Sequence, residues 1–177
     1  MFVRQWTFVI AIAFAIGVGV GAQLPTRTVA PPSAPIHIEA YFTPGTECAD
    51  RIITELGRAT TVDIAVYSIT NPKIATAIIA AHQRGARVRI VTDRTMAGHK
   101  SSMIDELAAA GIPVRINRRY KIEHNKFAVF DNRHMVTGSY NWTTAATKYN
   151  SENCIFLTHP AQEYTKRFEY LWGMYSK

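Results

Sequence analysis

The sequence predicts an α/β domain whose mixed sheet lies between helices. Three patterns point there. Between residues 36 and 116, short runs rich in Val and Ile alternate with stretches of helical period, the order of βαβ units and a parallel section of sheet. Between 127 and 138, the runs FAVF and HMVTG flank Asp131-Asn132, the composition of a tight hairpin. From 160 to 175, Tyr164, Phe168, Leu171 and Trp172 recur at helical spacing and mark the apolar side of a closing helix.

In chain order, IHIEAYF (36–42) alternates as a first strand. Thr43-Pro44-Gly45 then turns the chain. Residues 46–58 place Ile52, Ile53 and Leu56 on one helical stripe, with Glu47 near the positive end of the helix dipole. TVDIAVYSI reads as a buried strand. Asn71-Pro72 opens the next helix, because proline suits a first turn whose N–H groups have no helical partner. Ile74, Ala77, Ile78 and Ala81 form its stripe, and Gly85 ends it. ARVRIVTD is a third strand. Past Gly98, Met103, Ile104, Leu107 and Ala108 mark a further helix, closed by Gly111 and followed by the strand IPVRI. After the hairpin, ENCIFLT supplies another strand. There is no internal repeat.

A chain of 177 residues suffices for one good core and not for two. Its 47% hydrophobic and 19% charged residues exclude an intrinsically disordered protein. A formal charge of +7 and a pI near 9.6 favour polyanionic partners, either nucleic acid or an anionic membrane surface. Residues 1–22 stand apart. Arg4 precedes an uncharged apolar run that ends in the small residues Val20-Gly21-Ala22, as a secretory signal peptide does. Retained, the same run is long enough for membrane association as an anchor. Residues 23–35, QLPTRTVAPPSAP, read as an extended linker, which leaves 36–177 as the folded domain. The expected location is exported, periplasmic or secreted, or else anchored at a membrane. Cys48 and Cys154 suit either a disulfide in such a compartment or buried thiols, and without a CxxC they carry no zinc signal.

The stretch HNKFAVFDNRHMVTGSYNW (124–142) concentrates the chemistry. The apolar runs FAVF and MV read as paired strands, and on a strand residues two apart share a side, so His124 and Lys126 are expected to face one space together. An imidazole beside an ammonium, both opposite a Gly-Ser turn, suits a negatively charged group. The pattern H-x-K-x4-D-x6-G-S-x-N resembles the signature of the phospholipase D superfamily, written here as His124, Lys126, Asp131, Gly138, Ser139 and Asn141. NSEN places Glu152 where the small bacterial nucleases of that superfamily carry a matching glutamate. TVDIAVYSIT, IAAHQRGARVRIVTD and AAAGIPVR extend the resemblance to about residues 36–177.

The resemblance implies roles that simple chemistry supports. His124 is the nucleophile toward phosphorus, and a carboxylate partner fixes its tautomer. Glu152 is the expected partner, and Asp131 is the other carboxylate available, for catalysis or for its turn. Lys126 offsets charge on the phosphate oxygens, while Ser139, Asn141 and the close backbone approach at Gly138 complete a phosphate site. Arg115, Arg118, Arg119 and Lys121 lead into the motif as a candidate nucleic-acid surface, with Tyr120 able to stack on a base. Arg84, Arg87 and Arg89 read as solvated residues. The remaining histidines show no ligand spacing, so neither a metal nor another cofactor is expected. The expected activity is an endonuclease of little sequence preference that forms a phosphohistidine without metal. The superfamily uses two motif copies, and this chain has one, so the resemblance implies a homodimer that completes the site. The alternatives are a phospholipase D or cardiolipin hydrolase at a membrane, or a non-catalytic nucleic-acid-binding protein. The intact motif argues against the last.

Overall fold

The computed structural model describes residues 37–158 and 162–175. The expected signal or anchor segment and the linker lie outside these residues. Seven strands form one mixed sheet, β1 (His37–Phe42), β2 (Thr61–Val66), β3 (Arg87–Thr92), β4 (Val114–Ile116), β5 (Lys126–Phe130), β6 (His134–Gly138) and β7 (Asn153–Thr158). Their spatial order is β1-β7-β6-β5-β2-β3-β4. The β2–β3 and β3–β4 pairs are parallel, and every other neighbouring pair is antiparallel. This is the expected α/β architecture, with the parallel section and the hairpin where the patterns placed them.

The two-residue period of the strands divides the core between the faces. Val62, Ile64 and Val66 pack with Ile52 and Leu56 of α1 (Glu47–Arg58) and with Ile74 and Ile78 of α2 (Pro72–Gln83). Leu107 of α4 (Ile104–Ala109) joins that layer. On the other face Ala65, Val91, Phe127, Val129 and Met135 meet Phe168 and Leu171 of α6 (Gln162–Met174). Two short helices, α3 (Arg94–Ala97) and α5 (Thr144–Lys148), were not expected. Each is about one turn, too short to show a 3.6-residue repeat, and each is set by a cap. Asp93 accepts from the amides of Thr95 and Met96, and Thr143 from that of Ala146. Among the described residues no helix is long and apolar enough to cross a membrane.

Three arginines expected in solvent are structural. Arg84 donates to the carbonyls of Leu56 and Ala59 at 2.8 and 2.9 Å, which satisfies the end of α1. Arg87 and Arg89 pair with Asp63, buried in the register opposite Arg89. Arg89 also reaches Glu169, and its guanidinium lies 4.9 Å from the Phe168 ring centroid, so it fastens α6 to the sheet. Of the two alternatives for the cysteines, the fold takes the disulfide. Cys48 of α1 and Cys154 of β7 are bonded, with Cα atoms 6.0 Å apart.

Candidate active site

The motif residues come together from several loops and strand ends. Lys126 is the first residue of β5, opposite Val66 of β2, and His124 lies in the loop before it rather than on the strand. Strand alternation therefore does not orient the histidine. Its local surroundings do. Lys126 Nζ donates to the His124 carbonyl at 2.7 Å, and the exposed imidazole packs edge-on to Tyr67, with ring centroids 4.8 Å apart. The same tyrosine ring lies 5.2 Å from the Lys126 ammonium.

Gly138 ends β6, opposite Cys154 of β7. Its φ is +149°, and a Cβ there would stand 2.3 Å from the Asn153 carbonyl oxygen, so only glycine fits. That carbonyl accepts from the amides of both Ser139 and Tyr140 at 3.1 Å. Ser139 Oγ accepts from Asn153 N at 3.1 Å. Among the described residues the buried Oδ1 of Asn141 has no hydrogen-bond partner, which leaves it available to a bound group. Glu152 stands just before β7. Its amide donates to Thr43 Oγ1 at 2.9 Å, its carbonyl accepts from Thr43 N at 3.0 Å, and its carboxylate accepts from Asn150 Nδ2 at 3.0 Å.

His124, Lys126, Gly138, Ser139, Asn141 and Glu152 line one depression of about 370 Å³. A second cavity, of about 310 Å³, lies between α1, α2 and α5 and contains none of the motif residues. Burial lowers the pKa of Lys126, and the charges of Glu152 and Glu123 oppose that shift. Glu152 faces the depression, but among the described residues no hydrogen bond joins it to the imidazole. The geometry gathers an imidazole, a buried cation, hydroxyl and amide groups and a carboxylate around one depression.

Asp131 does not join them. It lies at the opposite end of β5, five residues from Lys126, roughly 16 Å along the strand. Asp131 and Asn132 take φ of 52° and 55° in the turn, and Asp131 Oδ1 accepts from the amides of Thr60 and Thr61 at 2.9 and 2.8 Å. Burial alone would raise its pKa, but bonds from the Thr60 hydroxyl and these amides outweigh it and hold the carboxyl below its usual range. Its place is the hairpin, not the depression.

The basic segment divides. Arg115 stands over the Trp172 ring, 4.1 Å from its centroid, and donates to the Trp172 carbonyl, so it anchors α6. Arg118, Arg119, Tyr120 and Lys121 remain exposed in the loop leading to His124. Among the described residues the three cations of that loop enter no ion pair. Buried Asn117 shapes the loop, accepting from the amides of Arg119 and Tyr120 at 2.9 Å each. Three residues of the site were missed: Tyr67, Asn117 and Glu123. The Asn117 turn had a signal in its asparagine before a polar run. Tyr67 and Glu123 had none.

Over residues 52–172 the sequence matches the protein family described as cardiolipin synthase, PLD-like domain. It is 38% identical over 142 residues to a mitochondrial cardiolipin hydrolase of Chlamydomonas reinhardtii, covering 78% of this chain and 63% of that protein. A phospholipase D of Rickettsia felis is 37% identical over 121 residues, covering 68% of this chain and 60% of that one. The chain thus spans about three fifths of the length of these two relatives. The fold is similar to the crystal structure of Nuc, a phospholipase D family member from Salmonella typhimurium, with a TM-score of 0.74 and 28% identity over 78% of this chain and 95% of that one. NucT from Helicobacter pylori gives a TM-score of 0.70 and 25% identity over 79% and 96%.

Proposed function

This chain belongs to the phospholipase D superfamily, and on that premise we propose that it hydrolyses phosphodiester bonds of nucleic acid. One observation carries the choice of substrate. The exposed cations Arg118, Arg119 and Lys121, which enter no ion pair among the described residues, lead directly to the depression that holds His124, Lys126 and Glu152. A polymer of phosphates can lie along that loop while one phosphate enters the site.

The reaction has two steps. A ring nitrogen of His124 attacks phosphorus, the bond to the leaving oxygen breaks, and a second histidine gives that oxygen its proton. The second histidine then takes a proton from water, whose oxygen attacks phosphorus and releases His124. Lys126 holds its positive charge against the non-bridging oxygens as their charge grows. Glu152, which lines the same depression, stabilises the imidazolium that develops. The second histidine is His124 of another copy, which makes the working form a homodimer. Ile38 and Phe42 of edge strand β1 are 60% and 70% exposed, apolar surface of the kind a dimer interface covers. No step uses a metal. Export, through the apolar segment 1–22, suits the Cys48–Cys154 disulfide.

A second reading is a cardiolipin hydrolase, favoured by the names of the curated relatives. Labelled DNA, labelled RNA and cardiolipin vesicles, each offered to purified protein in excess EDTA, separate the readings. Cleavage of nucleic acid is expected. Turnover of cardiolipin alone would replace the substrate, and activity that returns only with magnesium would overturn the metal-free mechanism.

A further inference from the structure

Glu123 precedes the proposed nucleophile, is 1% exposed, and has no part in the reaction above. Its surroundings are unusually complete. Oε1 accepts from both the amide and the side-chain Nδ2 of Asn125, and Oε2 accepts from Tyr175 Oη at 2.8 Å. Three donors and no acceptor face the two oxygens, the arrangement that suits an ionised carboxylate. The Glu123 amide donates to Asp93 Oδ2 at 3.0 Å, while Asp93 Oδ1 caps α3. The Asn125 carbonyl accepts from Tyr67 N at 2.8 Å, and the His124 carbonyl from Lys126 Nζ. The residues on both sides of His124 are thus tied to Tyr67, Asp93 and Tyr175, which directly follow β2, β3 and α6, although His124 itself belongs to no strand.

We propose that Glu123 is a positioning residue for His124 and Lys126, and that Tyr175 beyond α6 holds it there. The carboxylate does two things. It closes a local turn over Asn125, so the imidazole meets Tyr67 and the depression from one direction. It also places a negative charge near the buried ammonium of Lys126. The ionisable groups around that ammonium are Glu123, Glu152, His124 and Tyr67, and the two carboxylates favour its charged form. Tyr175 lies 52 residues along the chain from Glu123, so the last described turn of the protein bears on its first catalytic step.

The kinetic part of the test rests on the proposed phosphodiesterase reading, and the titration part does not. Glu123→Gln and Tyr175→Phe are made in the full chain, with folding checked by circular dichroism. The Lys126 ammonium and His124 ring are followed by NMR titration, and kcat and KM are measured with bis(p-nitrophenyl) phosphate. In Glu123→Gln, Lys126 is expected to lose its proton at lower pH than in the wild type, and kcat to fall roughly tenfold or more with KM little changed. In Tyr175→Phe, which keeps the charge, the Lys126 titration should stay in place while kcat falls by a smaller factor. A folded Glu123→Gln protein with an unmoved Lys126 titration and wild-type kcat overturns the proposal. If Glu123→Gln does not fold, Tyr175→Phe decides, and wild-type kcat with an unchanged His124 resonance in it is equally fatal. A wild-type protein that cleaves no diester sinks the functional reading instead, and the titrations still decide the role of Glu123.

Discussion

Replacing Asp131 separates a turn residue from a catalytic one. Its Oδ1 accepts from Thr60 N, Thr60 Oγ1 and Thr61 N at 2.9, 2.7 and 2.8 Å, tying the β5–β6 hairpin to the start of β2. Bonds to a charged acceptor contribute about 1.5–3 kcal/mol each when buried, but this carboxylate is partly solvated and water replaces much of what is lost. Asp131→Asn keeps an acceptor oxygen and tolerates the φ of 52°, so it should cost about 1 kcal/mol. Asp131→Ala loses the bonds and also strains the left-handed backbone, for about 3–4 kcal/mol in total. Thermal unfolding should register this at about 2–4 °C per kcal/mol. The sign with pH is fixed. The folded pKa lies below the unfolded value, so the contribution is complete above the unfolded pKa and is lost as pH falls through the folded one. Wild type and Asp131→Asn should therefore converge in stability in acid. Turnover of both variants should stay within about twofold of wild type. A folded Asp131→Asn protein with normal stability and kcat reduced a hundredfold would refute the reasoning and return Asp131 to the reaction.

Three further outcomes are expected. Glu152→Gln should leave the fold unchanged and slow turnover by roughly 10²–10⁴, because the developing imidazolium loses its counter-charge; near-normal kcat would remove Glu152 from the mechanism. Neutralising Arg118, Arg119 and Lys121 should weaken DNA binding on every sequence and flatten the salt dependence by roughly 0.7–0.9 for each phosphate that is no longer neutralised, whereas an unchanged slope would make the loop a solvated one. When wild-type and His124→Ala chains exchange fully, activity should follow the square of the wild-type fraction, and a linear response after proven exchange would show that each chain works alone.

Much of the fold was legible because the sheet repeats every two residues and its faces are apolar. The run TVDIAV sends Val62, Ile64 and Val66 to one layer and Ala65 to the other, and a period alone carries that. The Asp131-Asn132 hairpin was equally readable, since both residues tolerate the positive φ the turn requires. What the residues share across the sheet was not readable. Arg89 and Arg119 look alike in sequence, yet the parallel register sets Arg89 opposite Asp63, while Arg119 lies in a loop and, among the described residues, enters no ion pair. Arg115 is taken from the candidate nucleic-acid surface by a tryptophan on α6, 57 residues away. The same holds inside KIEHNK, where the sequence singles out Lys121, His124 and Lys126 but gives Glu123 no role. Glu123 is buried there because Asp93, just past β3, accepts from its amide and the chain returns, after α6, to offer Tyr175 to its carboxylate. A charged residue declares its chemistry in the sequence, but its role depends on which partner the topology brings within hydrogen-bond distance. For His124, the proposed nucleophile, the partners given to its neighbours Glu123, Asn125 and Lys126 fix the backbone of a residue that lies outside any strand.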